Sequence, residues 1–437
     1  MSFMSQKSNV TRRQFLRRTA VAAAATPFLL PSNVWTARGA SGPNNRLTLG
    51  FIGTGKQGRF LMDCFLPHPT VQVVAVADVD TTRREFHKKK AEEFYTIKQD
   101  KDFKGVTPYK DFRDLLARKD IDAVVIAAPD HWHAFIAIAA AKSGKDIYCE
   151  KPLSLTIHEA RAMVNATREN NRIFQTGSMQ RSSNEFWKAC TLVRNGRIGK
   201  VREVYVNVGG PSKWCDLPAE PMEPGLDWDM WLGQAPMRPY NSILSPRGVH
   251  DFFPNWRNYR EYSGGMMTDW GAHHFDIAQW GLGMDDSGPV EIIPPNGRDV
   301  KRLTYKYANG VVMYHGALDG YNFGIVFVGE NGKVCVDRGK FKVEPESVAA
   351  VNVAELPVKL YRSNNHYKDF LDHVADRQRP ICDVEIGARS VTVCHLGNLA
   401  VWNNTVLKWN PQTERFVDGA GDNAWLDRPK RAPWQIA

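Results

Sequence analysis

The stretch "GFIGTGKQGRF" places Gly53, Gly55 and Gly58 in G-x-G-x-x-G spacing, directly after the apolar run "LTLGFI". An apolar run, a glycine turn and the helix-compatible "KQGRFLMDCFL" predict the start of a βαβ unit. Glycines there let the backbone approach a pyrophosphate, and the helix N-terminus presents oriented N–H groups to it. Lys56 and Gln57 lie inside the turn and join the candidate contacts. Asp78 ends the next apolar run, "VQVVAVAD", 20 residues after Gly58, where a carboxylate accepts from a ribose diol. The parts together predict a dinucleotide site; a glycine-rich turn without ligand is the plainer alternative. Asp78 repels a 2′-phosphate and so favours NAD, while Arg83 and Arg84 nearby keep NADP open.

The next runs extend the unit. "IDAVVIAAP" reads as a third strand, "HAFIAIAAAKSG" as a helix closed by Gly144, and "KDIYCEKP" as a further strand. Apolar runs without alternation suit strands buried on both faces, hence a doubly wound parallel sheet. Beyond residue 175 the strands lengthen, alternate and carry Asn-Gly turns at 309–310 and 331–332, which are hairpin signals. Residues 211–262, rich in Trp, Pro and Asp, read as a long loop region. "HYKDFLDHVADR" and "GARSVTVCHLGNLAVW" read as helices. The predicted architecture is an α/β Rossmann domain over 46–175, then an α+β domain over 176–437 with an open, mainly antiparallel sheet. A length of 437 residues, 43% of them hydrophobic, supports two such cores.

Residues 1–45 stand apart. They hold six basic side chains and no acid, and without them the net charge falls from +10 to +4, too little to point to nucleic acid. "TRRQFLRR" sets Arg12 and Arg13 ahead of Phe15 and Leu16, and the weakly apolar "TAVAAAATPFLLP" is too short to span a bilayer. The layout resembles a twin-arginine export signal, cleaved between Ala37 and Gly42; a disordered basic tail is the alternative. The mature chain is then periplasmic or otherwise extracytoplasmic, without a membrane span. Seven scattered cysteines, odd in number and without C-x-x-C, argue against a disulfide framework and a zinc site.

Three further motifs carry chemistry. "AAPDHWH" follows the third strand and puts Pro129 and His133 in a loop expected to touch the cofactor. His131 and His133 lack the acidic neighbours of a metal site. Glu150-Lys151-Pro152 ends the next strand. Pairing of Lys151 with Glu150 is poor because adjacent strand residues face opposite ways, so Lys151 is expected to face the nicotinamide pocket, its pKa lowered by burial and a cationic ring. "SGGMMTDWGAHHFDIAQW" spaces Asp269, His273 and Asp276 at i, i+4 and i+7, one face of a helix. Asp269 beside His273 would orient the imidazole as a base; a buried polar ladder is the alternative.

These motifs, in this order from about residue 46 to the C-terminus, resemble the Gfo/Idh/MocA oxidoreductase family. The resemblance implies that Lys151, Asp269 and His273 flank nicotinamide and substrate carbinol. It implies a homo-oligomer, dimer or tetramer, built through the second domain. "TGSMQRSS" departs from the family's Asn/Arg-rich stretch and leaves Arg181 as the substrate contact there. The expected reaction is hydride transfer between NAD(P) and a secondary hydroxyl of a sugar or cyclitol. His273 held by Asp269 takes the proton, and Lys151 polarises the oxygen. Trp214, Trp228, Trp231 and Trp256 offer faces for sugar stacking. Export would separate the protein from a free NAD pool, so the cofactor would stay bound. Two-sugar exchange, or glycoside cleavage through transient oxidation, are then alternatives, with a vestigial sugar-binding fold as a third.

Overall fold

A computed structural model describes residues 46–99 and 102–435. The twin-arginine reading falls on residues outside these.

The first sheet has six parallel strands: β1 (Leu47–Ile52), β2 (Val71–Ala77), β3 (Thr107–Tyr109), β4 (Ala123–Ile126), β5 (Asp146–Cys149) and β6 (Phe174–Thr176). Their order is β3-β2-β1-β4-β5-β6, doubly wound from β1 as the runs predicted. Leu49, Phe51, Val124 and Val125 are fully buried, the consequence of covering both faces with helices. Those helices are α1 (Lys56–Phe65), α2 (Thr81–Gln99), α3 (Phe112–Leu116), α4 (Asp130–Lys142) and α5 (Ile157–Glu169). The short edge strand β3 escaped the sequence reading because "TPY" has no apolar run. The stretch "DHWH" is not a loop: α4 already begins at Asp130, behind Pro129 as its N-cap.

After α6 (Asn184–Arg194) comes β7 (Val201–Val206), then α7 (Trp228–Leu232), α8 (Met266–Asp269) and α9 (Gly271–Leu282). Strands β8 (Glu291–Ile293), β9 (Thr304–Lys306), β10 (Val312–His315), β11 (Ile325–Gly329), β12 (Gly332–Asp337) and β13 (Lys340–Glu344) follow. Helices α10 (His366–Asp376) and α11 (Val384–Asn403) and strands β14 (Leu407–Asn410) and β15 (Arg415–Phe416) complete the chain. The second sheet has nine strands, ordered β13-β12-β11-β7-β10-β9-β8-β14-β15. All its pairings are antiparallel except β7 with β10. The β11–β12 hairpin forms at the expected place, but Glu330 and Asn331 make its turn and Gly332 already pairs with Gly329.

Residues 211–262 are not merely loop. They contain α7 and a buried aromatic cluster in which Trp228 and Trp231 stack at 4.7 Å. The C-terminal helices return to the first sheet, where Phe370, Leu371 and Val374 of α10 join the core around Phe51 and Phe65. Helix α11 joins the two sheets: its Val384, Ala388 and Val391 pack into a core of the first sheet and its Val393, Leu396 and Leu399 into that of the second, at about 1.5–3 kcal/mol for each fully buried side chain. Among the described residues no helix is long and apolar enough to cross a membrane.

Candidate active site

The carboxyl ends of β1, β2, β4 and β5 open into a cavity of about 380 Å³ whose far wall comes from α8, α9 and the β12–β13 hairpin. At its cofactor end each glycine of the turn answers a different demand. Gly53 has φ +84°, and a Cβ there would lie 2.4 Å from the Ala128 nitrogen; one on Gly58 would lie 2.2 Å from the Gly53 oxygen. No side chain fits either place. A Cβ on Gly55 would meet nothing within 4 Å. That open space lies at the N-cap of α1, where first-turn N–H groups have no side-chain cap. The turn is therefore a cradle of the kind a pyrophosphate fills, and the residues present fit a dinucleotide.

Asp78 lines the cavity and also braces the turn. Its Oδ2 accepts from Thr54 N at 2.7 Å and Thr54 Oγ1 at 2.9 Å, and its Oδ1 from Asp80 N at 2.8 Å. The two arginines that kept NADP open have their donors engaged. Arg83 donates to the carbonyls of Gly248 and Pro246, and Arg84 to that of Asp78. Gly248 and Pro246 belong to a segment, 246–253, that crosses the edge of the cofactor cleft. It is tethered by Arg247 to Asp80, by Arg59 to Asp251 and by Lys56 to the Asp251 carbonyl at 2.6 Å.

Glu150 and Lys151 lie just past the end of β5, and their side chains take different partners, although Lys151 N donates to Glu150 Oε2 at 3.2 Å. The buried Glu150 accepts from Gln57 Nε2 at 2.9 Å, and burial holds its carboxyl above the usual range. The Lys151 ammonium instead meets Asp269, donating to the carbonyl oxygen at 3.1 Å and to Oδ1. Asp269 Oδ2 lies 3.7 Å from Arg257 Nε. Burial raises the Asp269 carboxyl, but Lys151 and Arg257 outweigh it and hold it below the usual range.

The Asp269–His273 pair expected from spacing does not form. Gly265, at φ +79° and pressed against Ser212 N, starts α8, and the chain breaks at Trp270 before α9 begins. Asp269 and His273 thus sit on different helices. His273 is buried, and its ring Nδ1 is wholly enclosed with no hydrogen-bond partner among the described residues. Burial, then the charges of Lys151 and Arg338, hold its pKa well below the ordinary value, so the ring is neutral. Asp276, third on the expected face, points elsewhere. It accepts from Ser390 Oγ at 2.7 Å and from Arg181.

Arg181 is a second correction. It is 1% exposed, with Nε and Nη2 on Asp276 at 2.8 Å and both Nη atoms on Asp285 at 2.7–3.0 Å. Its guanidinium serves the core and does not reach the cavity. His131 and His133 take backbone partners: His131 Nε2 is 2.9 Å from the Trp231 carbonyl, and His133 lies between the carbonyls of Pro152 and Ala128 at 2.8 and 2.9 Å. Burial drops their pKa values to about 3 and about 4. Pro129 and His133 line the cavity. Of the four tryptophans, Trp231 and Trp256 line it, Trp228 is packed in the aromatic cluster, and Trp214 lies outside.

Sequence reading missed Asp130, Arg257, Trp270 and Arg338 on the cavity wall. Asp130 accepts from Ser263 Oγ at 2.6 Å, and burial pushes it up to about 7. An acid at a helix start behind a strand end was a legible signal for Asp130; nothing local marked the two arginines.

Residues 47–178 match the model of the Gfo/Idh/MocA "Oxidoreductase family, NAD-binding Rossmann fold", and residues 208–436 match that of its "C-terminal alpha/beta domain". The chain is similar to myo-inositol 2-dehydrogenase of Thermotoga maritima, 24% identical over 309 residues, covering 67% of this chain and 75% of that protein. It is similar to a glycosyl hydrolase family 109 protein of Shewanella putrefaciens, 28% identical over 215 residues and 44% of each chain. The WlbA dehydrogenase of Bordetella pertussis, solved with NADH and UDP-GlcNAcA, shares the fold at TM-score 0.59 and 17% identity, over 84% of this chain and 99% of that one. A glycine cradle open at Gly55, a lysine and a neutral histidine in one cleft, and family matches to both halves lead to one conclusion: this chain is an NAD-binding member of the Gfo/Idh/MocA oxidoreductase family.

Proposed function

We propose that the protein is a dehydrogenase acting on a secondary hydroxyl of a sugar or cyclitol. The observation that carries this is the convergence of the Lys151 ammonium and the neutral His273 ring on one cavity beside the glycine cradle. When bound there, NAD supplies the carbon that accepts or returns hydride. The first-turn N–H groups of α1, with Gly53 and Gly55, hold its phosphates, and Gln57 and Glu150 form the floor beneath. Lys151 Nζ, steadied by Asp269, donates to the substrate oxygen and stabilises the charge that builds on it. His273 Nε2 takes the hydroxyl proton, because a ring kept neutral has a lone pair ready for it. Trp231 and Trp256 keep water from this end of the cleft. The likeness to an inositol dehydrogenase supports a polyol substrate.

A second reading, redox-neutral cleavage of a glycoside with retained NAD, is favoured by one relative's glycosidase description and by the tethered segment 246–253. An exported protein, as the twin-arginine pattern suggests, would need such retention. The test is to supply sugars, cyclitols and aryl glycosides to purified protein and record nicotinamide absorbance and aglycone release. Reduction by polyols alone supports the first reading; aglycone release without net reduction supports the second. Neither response to any compound would sink both.

A further inference from the structure

Two of the cavity-wall cations that act on Asp269, Arg257 and Arg338, have no place in the proton chemistry, and Arg338 is the less satisfied. It sits at the tip of the β12–β13 hairpin. The tip is held rigidly: Gly339 N donates to Glu185 Oε1 on α6 at 3.1 Å, and Arg338 N to Asp337 Oδ1 at 2.7 Å. The guanidinium lies over the Trp270 ring, 4.6 Å from its centroid. Its one side-chain hydrogen bond is a long contact of 3.4 Å to Gln180 Oε1, and among the described residues it forms no ion pair. The nearest cavity carboxylate, Asp269, is already taken by Lys151 and Arg257. Lys151, Arg257 and Arg338 therefore share the one Asp269 carboxylate, and the other acid acting on Arg338 is its chain neighbour Asp337.

We propose that the substrate carries an anionic oxygen group, a carboxylate or phosphate on the sugar, which Arg338 receives while the reacting carbinol lies at Lys151 and His273. This rests on the dehydrogenase reading of the site. The Arg338 side chain is exposed on the cavity wall and its guanidinium has no ion-pair partner within reach among the described residues, so an oxyanion arriving in the cavity can take two of its N–H groups.

The test uses the holoenzyme with its bound cofactor and matched sets of a neutral hexose, its uronate and its 6-phosphate in the gluco, galacto and manno series. Binding is read by calorimetry, and reduction of the cofactor by absorbance. At least one acid should bind about 10- to 100-fold more tightly than its neutral partner, the range expected for a hydrogen-bonded charged group. The uronate and phosphate arms tell which anion is recognised. Arg338→Gln should erase the preference without changing NAD content, and Arg338→Lys should restore part of it. Neutral sugars binding as well as both acids, no acid binding in any series, or a preference that survives Arg338→Gln would each overturn the proposal. A failed dehydrogenase reading looks different: acids bind in preference, yet no sugar reduces the cofactor.

Discussion

Lys151 and Asp269 form the ion pair that joins the two walls of the cleft, across 118 residues of chain. The lysine follows β5 of the parallel sheet and the aspartate ends α8 of the second domain. The carboxylate that helical spacing assigned to His273 is thus engaged by a lysine, and the histidine is left neutral among cations. Roles in the cleft follow from that exchange of partners.

Lys151→Ala should lower kcat by about 10²- to 10⁴-fold, the range for loss of a positioned proton or charge donor, while bound NAD is retained. Asp269→Asn should lower it less, because the lysine stays but loses its anchor. Turnover and cofactor content of both variants check this. Wild-type activity in Lys151→Ala would remove the lysine from the mechanism.

The glycines of the turn should separate by role. Gly55→Ala meets open space, so the fold should survive while NAD affinity drops. Gly58→Ala pushes a Cβ into the Gly53 carbonyl, and overpacking of this kind costs about 1–3 kcal/mol of stability. Calorimetric NAD titration and urea unfolding of the two variants should give opposite patterns.

Arg338→Gln should raise the pKa of His273. Burial depresses that value most and remains in the variant, but one of the cations that add to it is removed. The ring therefore gains proton affinity, and an NMR titration of its nitrogens should shift to higher pH. A shift downward, or none, would show that Arg338 does not act on the ring.

Arg181→Met should destabilise the fold by about 3–5 kcal/mol, because Asp276 is left as a buried charge without a partner. The Michaelis constant of the surviving folded enzyme should not change. A raised Michaelis constant at unaltered stability would return Arg181 to the substrate site.

Acid should unfold the protein. Burial holds His87, His133, His274 and His366 at about 4 and His131 and His395 at about 3. These folded-state values lie below the 6.5 of a free imidazole, so below pH 6.5 the unfolded chain binds more protons. Stability is present above 6.5 and is lost as pH falls toward 4. Asp130 and Glu159, both pushed up to about 7, act in the opposite sense, as do the raised Glu150 and Asp276, but the six histidines and His273, also held low, outnumber these four. Urea midpoints should fall between pH 7 and pH 4.5; a rise would contradict the assignment.

The glycine turn, the parallel strands, Gly144 closing α4 and the β11–β12 hairpin were all legible because each depends on neighbours a few residues away. Edge strand β3 was not, since its three residues lack a hydrophobic pattern. The interruption at Trp270 was hidden for a similar reason: the residues of α8 and α9 are compatible with one continuous helix.

Sequence alone therefore determined the parallel sheet, the glycine turn at its edge, and the lysine and histidine that line the cleft. Tertiary structure alone decided which charge pairs with which. It moved Asp269 from His273 to Lys151, drew Arg181 into the core with Asp276 and Asp285, and brought Arg338 on a hairpin tip to the cleft. The physical reason is range: backbone preference and hydrophobic period act over one or two turns, whereas a buried charge is neutralised by whichever partner the packed layers bring within about 4 Å.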